Sequence, residues 1–193
     1  MALREELHLT GSLGLDFVNT VVPLRTGPVD LLHHPDAFLW WMGEAVSPSL
    51  QALAPGDPPG RRLLTREARH LRDALIALFR TVANDSESLP PAAAATLDRA
   101  LQASVGRYTR AGATVERHFD VGHPLAVLTP IALSAVDFTA SARPDRLRPC
   151  AAEGCQRWFL DTSKSGRRRW CSMERCGNRA KAERYRQRHA ATG

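Results

Sequence analysis

Four cysteines, Cys150, Cys155, Cys171 and Cys176, are all the thiols this chain has, and they fall within 27 consecutive residues. They form two pairs of identical C-x-x-x-x-C spacing, separated by fifteen residues. Two such pairs let two chain reversals present four thiolates tetrahedrally to one Zn²⁺, at about 2.3 Å each. Disulfides are the competing use, and they suit exported chains. Residues 1–10 hold Arg4, Glu5 and Glu6 and no apolar run of the kind that directs secretion, so a soluble, intracellular chain is expected. One structural zinc is the expectation. A catalytic zinc is disfavoured, because four thiolates leave no open coordination position.

The elements around the thiolates must position them. Gln156 to Asp161 reads as a short aromatic strand, Thr162 to Gly166 as a turn, and Arg167 to Trp170 as the returning strand of a hairpin. So small a module buries little apolar surface, which assigns Trp158, Phe159 and Trp170 to its core rather than to base stacking. Ser172 is placed to cap a helix from about Met173 to His189, with Cys176 in its first turn. Beyond that turn come Arg179, Lys181, Arg184, Arg186 and Arg188, with Glu183 the only acid. A helix polar nearly all round is marginal alone, and its charges repel one another. Nucleic-acid phosphates would relieve that repulsion, with Arg167, Arg168 and Arg169 adding to the same surface.

Charge is divided along the chain at the same place. Residues 1–142 carry 12 Lys and Arg against 15 Asp and Glu, whereas residues 143–193 carry 14 against 5, giving the overall +6. A short, strongly basic segment faces a polyanion. With 193 residues, 44% apolar and 24% charged, the composition is globular. The longest uncharged stretch, Val121 to Val136, is interrupted by Pro124 and Pro130 and is too short to cross a membrane.

Cys176-Gly177-Asn178-Arg179 resembles the signature of the CGNR zinc-finger family of bacterial proteins. The similarity runs through Cys150, Cys155, Phe159 to Ser163, Arg168 to Met173 and Ala180 to Ala182. Upstream, Leu15 to Thr20 and Asp36 to Trp41 look like the ABATE domain that accompanies this finger. The resemblance implies a stress-induced transcription regulator, with zinc at the positions of all four cysteines. Within the signature, Asn178 is suited to adenine and Arg179 to guanine, or both to bracing the finger. Gly177 inside a helix costs about 1 kcal/mol relative to Ala, so a close approach of another group is expected there.

The N-terminal part is read more coarsely. Leu9 to Val22 fits a strand or the start of a helix, and Pro35 to Glu44 a short helix. Pro48 to Gly60 reads as a loop. Leu64, Leu71, Leu75, Leu78, Phe79 and Val82 make the apolar stripe of a helix from Thr65, as N-cap, to Asn84. Further helices are expected over Pro91 to Ser104 and Pro124 to Ser141, with β alternation over Tyr108 to Val121. Gly11 to Gly14 lacks a phosphate-loop lysine and reads as a turn, and no catalytic signature is present. His118, Asp120 and His123 could share a metal only with a further ligand. Asp16 and Asn19, set among apolar residues, must be hydrogen-bonded if buried. They serve as a helix cap or core polar pair or, with Trp40 or Trp41 nearby, as a small-molecule pocket.

The expected architecture is α+β: a mainly helical domain with a few strands over 1–142, a linker over 143–149, and a zinc finger with a basic helix over 150–193. The expected function is zinc-dependent DNA binding in transcriptional regulation, in the bacterial cytoplasm and on the nucleoid, without enzymatic activity. The N-terminal domain would sense an effector, form a homodimer, or both. The competing reading is a module that grips RNA or an acidic protein; an enzyme acting through the N-terminal domain ranks below both.

Overall fold

A computed structural model describes residues 7, 10–24, 27–46, 51–52, 54–104, 106–111, 114–119, 124–141 and 144–190. Among the described residues the first elements are helix α1 (Leu13–Val18), strands β1 (Val21–Leu24) and β2 (Gly27–Asp30), and helix α2 (Pro35–Ala45). Two long helices follow, α3 (Pro58–Ala83) and α4 (Pro91–Gln102), then the hairpin β3 (Gly106–Ala111) and β4 (Thr114–Phe119). A 3₁₀ turn at Pro124–Leu128 leads into α5 (Thr129–Ser141). Asp120 and His123, considered above as metal ligands, lie outside the described residues.

Helix α3 begins seven residues before the expected cap. Asp57, not Thr65, is the N-cap, and its carboxylate accepts from the Gly60 N–H at 2.8 Å. Pro58 and Pro59 sit in the first turn, where a helix needs no N–H from them. The last three residues of the stretch that reads as a loop, Pro58 to Gly60, are therefore the first turn of the helix. Thr65 lies inside the helix and donates its hydroxyl to the Arg61 carbonyl. The apolar stripe behaves as its spacing predicts, with Leu64, Leu71, Leu75 and Phe79 fully buried.

Around that stripe the core is aromatic. Phe17 of α1 meets Phe38 and Trp41 of α2, with ring centroids 5.6–6.2 Å apart in the contacts Phe17 makes. Trp41 is fully buried and Trp40 only partly, so the adjacent tryptophans divide between core and rim. Arg72 of α3 is buried and forks onto Asp30 at 2.6 and 2.7 Å, while also donating to the Thr20 hydroxyl. Burial pushes the Asp30 carboxyl up, but the Arg72 hydrogen bonds, the Leu32 N–H and the Arg72 charge hold it below its ordinary value.

The stretch expected to be a linker is structured from residue 144 onward. Pro144–Arg146 forms a 3₁₀ turn and Leu147–Pro149 forms strand β5. Strand β6 (Trp158–Leu160) pairs antiparallel with β5, placing Leu147 opposite Leu160 and Pro149 opposite Trp158. The expected hairpin partner, Arg168 to Trp170, is not in the ladder. Its backbone is held otherwise: the Asp161 carboxylate accepts from the N–H groups of Ser163 and Arg168 at 2.9 and 2.8 Å. The Ser163 hydroxyl, those two N–H groups and the Arg146 charge bring the Asp161 carboxyl down to about 2, against the opposing effect of burial.

Candidate metal centre and nucleic-acid face

The cysteines reach one point from three pieces of backbone. Cys150 follows β5, and its N–H donates to the Arg157 carbonyl at 2.8 Å, closing the first knuckle. Cys155 follows a turn through Gly154, whose φ of +69° is a left-handed conformation that glycine adopts without strain. Cys171 is tied back by Ala151 donating to the Arg169 carbonyl and by its own N–H donating to Cys150 Sγ at 3.3 Å. Cys176 lies in a wide turn, Met173–Gly177, whose entry is capped by Ser172 accepting from the Arg175 N–H. All four sulfurs lie within 4.8 Å of one another.

These distances fit a metal. Four thiolates at about 2.3 Å around a tetrahedral zinc stand about 3.8 Å apart. The Cys155–Cys171 and Cys171–Cys176 separations are 3.8 and 3.6 Å. Without a cation the cluster resists ionising together: burial, followed by the Cys155 thiolate charge, pushes Cys176 up to about 11. A dication removes that penalty by pairing with the thiolates. Cys150, Cys155, Cys171 and Cys176 are thus placed to bind one Zn²⁺, and with all four positions taken by sulfur such a zinc would be structural.

The finger is joined to the N-terminal core. Trp158 and Leu147 are buried in the same cluster as Phe79, Phe17 and Trp41. The Trp158 ring meets Phe79 edge-on at 5.8 Å. Phe159 faces the other way, onto the cysteines. Thus Trp158, expected inside the finger's own core, belongs to the main one. Asn19 sits beside it, donating to the Trp158 carbonyl at 2.9 Å and accepting from its N–H at 2.8 Å. Asp16 turns elsewhere and accepts from the Thr10 N–H and hydroxyl at 2.7 Å each. Asp16 and Asn19 thus bond different partners, Thr10 and Trp158. A cavity of about 500 Å³ lies where α3 meets the finger, lined by Ile76, Arg80, Asn84, Cys155, Gln156 and Trp158 among others.

After the wide turn comes helix α6 (Asn178–Ala190). The basic residues singled out from the sequence fall into two groups. Arg168 is turned inward, donating to the carbonyls of Trp170 and Cys171 and lying over the Phe159 ring at 5.0 Å. Arg179 reaches the Glu153 carbonyl at 3.0 Å, so it ties the helix to the first knuckle. Arg169 and Arg184 both lie over the Trp170 ring, at 5.7 and 5.8 Å. Arg167, Arg169, Asn178, Lys181, Arg184, Arg186 and Arg188 are all exposed. A close approach does exist at Gly177: a Cβ there would meet Met173 Sδ, on a flexible side chain, and touch Trp170 at 3.4 Å.

Residues 11–142 match the ABATE family model, described as “Putative stress-induced transcription regulator”, and residues 146–189 match the CGNR zinc finger. The chain belongs to the ABATE family and carries a CGNR zinc finger. No curated protein matches it. The finger match begins at Arg146, so it includes the β5 strand, within the stretch expected to be a linker. No described helix is long and apolar enough to cross a membrane.

Proposed function

We propose that this ABATE-family protein is a DNA-binding transcription regulator, without enzymatic activity, whose zinc finger presents helix α6 to duplex DNA. The observation that carries this is α6 itself. It has five cations among thirteen residues, Arg179, Lys181, Arg184, Arg186 and Arg188, and buries no apolar face. Such a helix gains nothing from core packing and gains much from phosphates. The zinc site supports its first turn, since Cys176 immediately precedes Gly177 and Asn178. The N-terminal region serves as the sensing or dimerising part, acting in the bacterial cytoplasm. Its coupling to the finger through Asn19 and Trp158 is what such a role needs.

The test is duplex-DNA affinity of the zinc-loaded protein across a salt series, repeated after chelation. Log K should fall with log salt at a slope of about −4 to −8, reflecting several released counterions, and affinity should collapse on chelation. A weak affinity indifferent to zinc would refute the reading and direct attention to RNA or protein partners.

A further inference from the structure

The two sides of α6 differ in what they carry. On its inner side, Ala180, Glu183, Arg184 and Gln187 line a groove of about 580 Å³ that also includes Trp170 and Glu153. The helix thus has a fixed orientation on the finger, set by Arg184 over Trp170 and by Arg179 on the Glu153 carbonyl. On the opposite side, Asn178, Ala182, Tyr185 and His189 are all exposed. Their spacing, i, i+4, i+7 and i+11, places them in one line along the helix. None of the helix's lysines or arginines stands in that line. Lys181 and Arg188 run alongside it instead. Tyr185 is 61% exposed, and it and Met173 are the exposed large hydrophobic side chains among the described residues.

A helix acting only as a cloud of counterions would carry arginine on its outermost line. Here that line is uncharged by lysine or arginine, rich in hydrogen-bonding groups, and bordered by cations. Resting on the DNA-binding reading above, we infer that Asn178, Ala182, Tyr185 and His189 form the base-reading edge of α6, laid in the major groove, with Lys181 and Arg188 on the phosphates beside it. The chemistry fits each place. An asparagine amide offers the donor and acceptor that adenine N7 and N6 require, and an alanine methyl packs against the thymine methyl. Tyr185 is held by its ring contact with His189, at 4.1 Å between centroids, so two aromatic side chains with polar edges share one turn. Thirteen residues span about 20 Å, and the major groove, about 12 Å wide, admits a helix of this kind. Base contacts specify sequence while phosphate contacts set register, so the two groups of residues should separate experimentally.

The experiment selects a preferred duplex from a randomised pool with the zinc-loaded full chain. Affinities for that duplex and for a scrambled one are then measured across salt for the native protein, Asn178→Ala, Tyr185→Ala and Lys181→Ala, with zinc content checked in each. Asn178→Ala and Tyr185→Ala should each reduce the preference for the selected duplex about tenfold and leave the salt slope unchanged. Lys181→Ala should weaken both duplexes equally and reduce the slope by about one. An unchanged preference in both edge variants, or a native protein that binds tightly with steep salt dependence but selects no sequence, would overturn this inference and leave the DNA-binding reading standing. A native protein that binds no duplex at all would overturn that reading as well.

Discussion

The side-chain amide of Asn19 closes a two-bonded ring on the backbone of Trp158, 139 residues further along the chain, at 2.9 and 2.8 Å. It joins the end of α1 to the strand that precedes the second half of the zinc site. The same tryptophan packs its ring on Phe79 of α3. Through one residue, therefore, the metal module and the N-terminal core share both a hydrogen-bonding edge and an apolar surface.

Removing the clamp should weaken this junction without touching the metal. Asn19→Ala leaves the Trp158 N–H and carbonyl without their side-chain partner in a partly buried place, which costs about 2 kcal/mol. The expected result is a lower denaturation midpoint of the zinc-loaded protein with one zinc still bound per chain. An unchanged midpoint would show that water replaces the amide at no cost.

Chelation should be felt well outside the finger. A module without its own core would unfold alone when stripped of zinc. Here, however, Trp158 and Leu147 belong to the main cluster, and withdrawing a buried Trp costs about 3–5 kcal/mol. Amide hydrogen exchange should speed up after chelation around Asn19 at the end of α1 and around Phe79 in α3, as well as in the finger. Unaltered protection in those two helices would mean that β5 and β6 stay docked without the metal.

Which of these features can be read in advance follows from how each interaction is encoded. The zinc site is legible because residue type and spacing both carry its chemistry, and α3 because five leucine and phenylalanine positions and Val82 repeat at helical period. The Asn19–Trp158 clamp leaves no such trace: its partner is backbone, and backbone groups have no sequence signature. The start of α3 is hidden because Pro58-Pro59-Gly60 has the composition of a loop, while its first-turn role depends on Asp57 as cap. Strand β5 is hidden because Pro149 looks like a break, although at the end of an edge strand its missing N–H goes unused. The inward turn of Arg168 is equally silent, since three consecutive arginines look alike until one of them is over Phe159.

The Arg72–Asp30 pair should make the N-terminal core sensitive to acid. Asp30 is held below its ordinary value of 3.8, so the pair's contribution is complete above that pH and is lost as the pH falls below it. Arg72→Met leaves a largely buried carboxylate without its fork and should cost about 3 kcal/mol at pH 7. The gap between native and variant urea midpoints should narrow from pH 7 to pH 3. The difference between the two proteins reports on the Asp30 carboxylate together with His33, whose Nδ1 lies 3.2 Å from its Oδ2. A gap independent of pH would assign Arg72 a packing role only.

Gly14 and Gly177 should respond to alanine to very different degrees. Gly14 lies where α1 crosses α5, and a Cβ there would stand 2.5 Å from the Ala135 Cα and 2.6 Å from its nitrogen. Those are backbone atoms of a packed helix, so the helices must separate, and Gly14→Ala should cost about 3 kcal/mol. The collision at Gly177 is with the sulfur of Met173, the far end of a flexible side chain that is 46% exposed. Met173 can swing into solvent, and the added helix propensity of alanine, about 1 kcal/mol, offsets the lost contact. Gly177→Ala should therefore bind zinc and melt within a degree or two of the native protein, while Gly14→Ala melts well below it. Near-equal melting of the two variants would mean that α1 and α5 can move apart freely, which the burial of Leu15, Phe17 and Ala135 argues against.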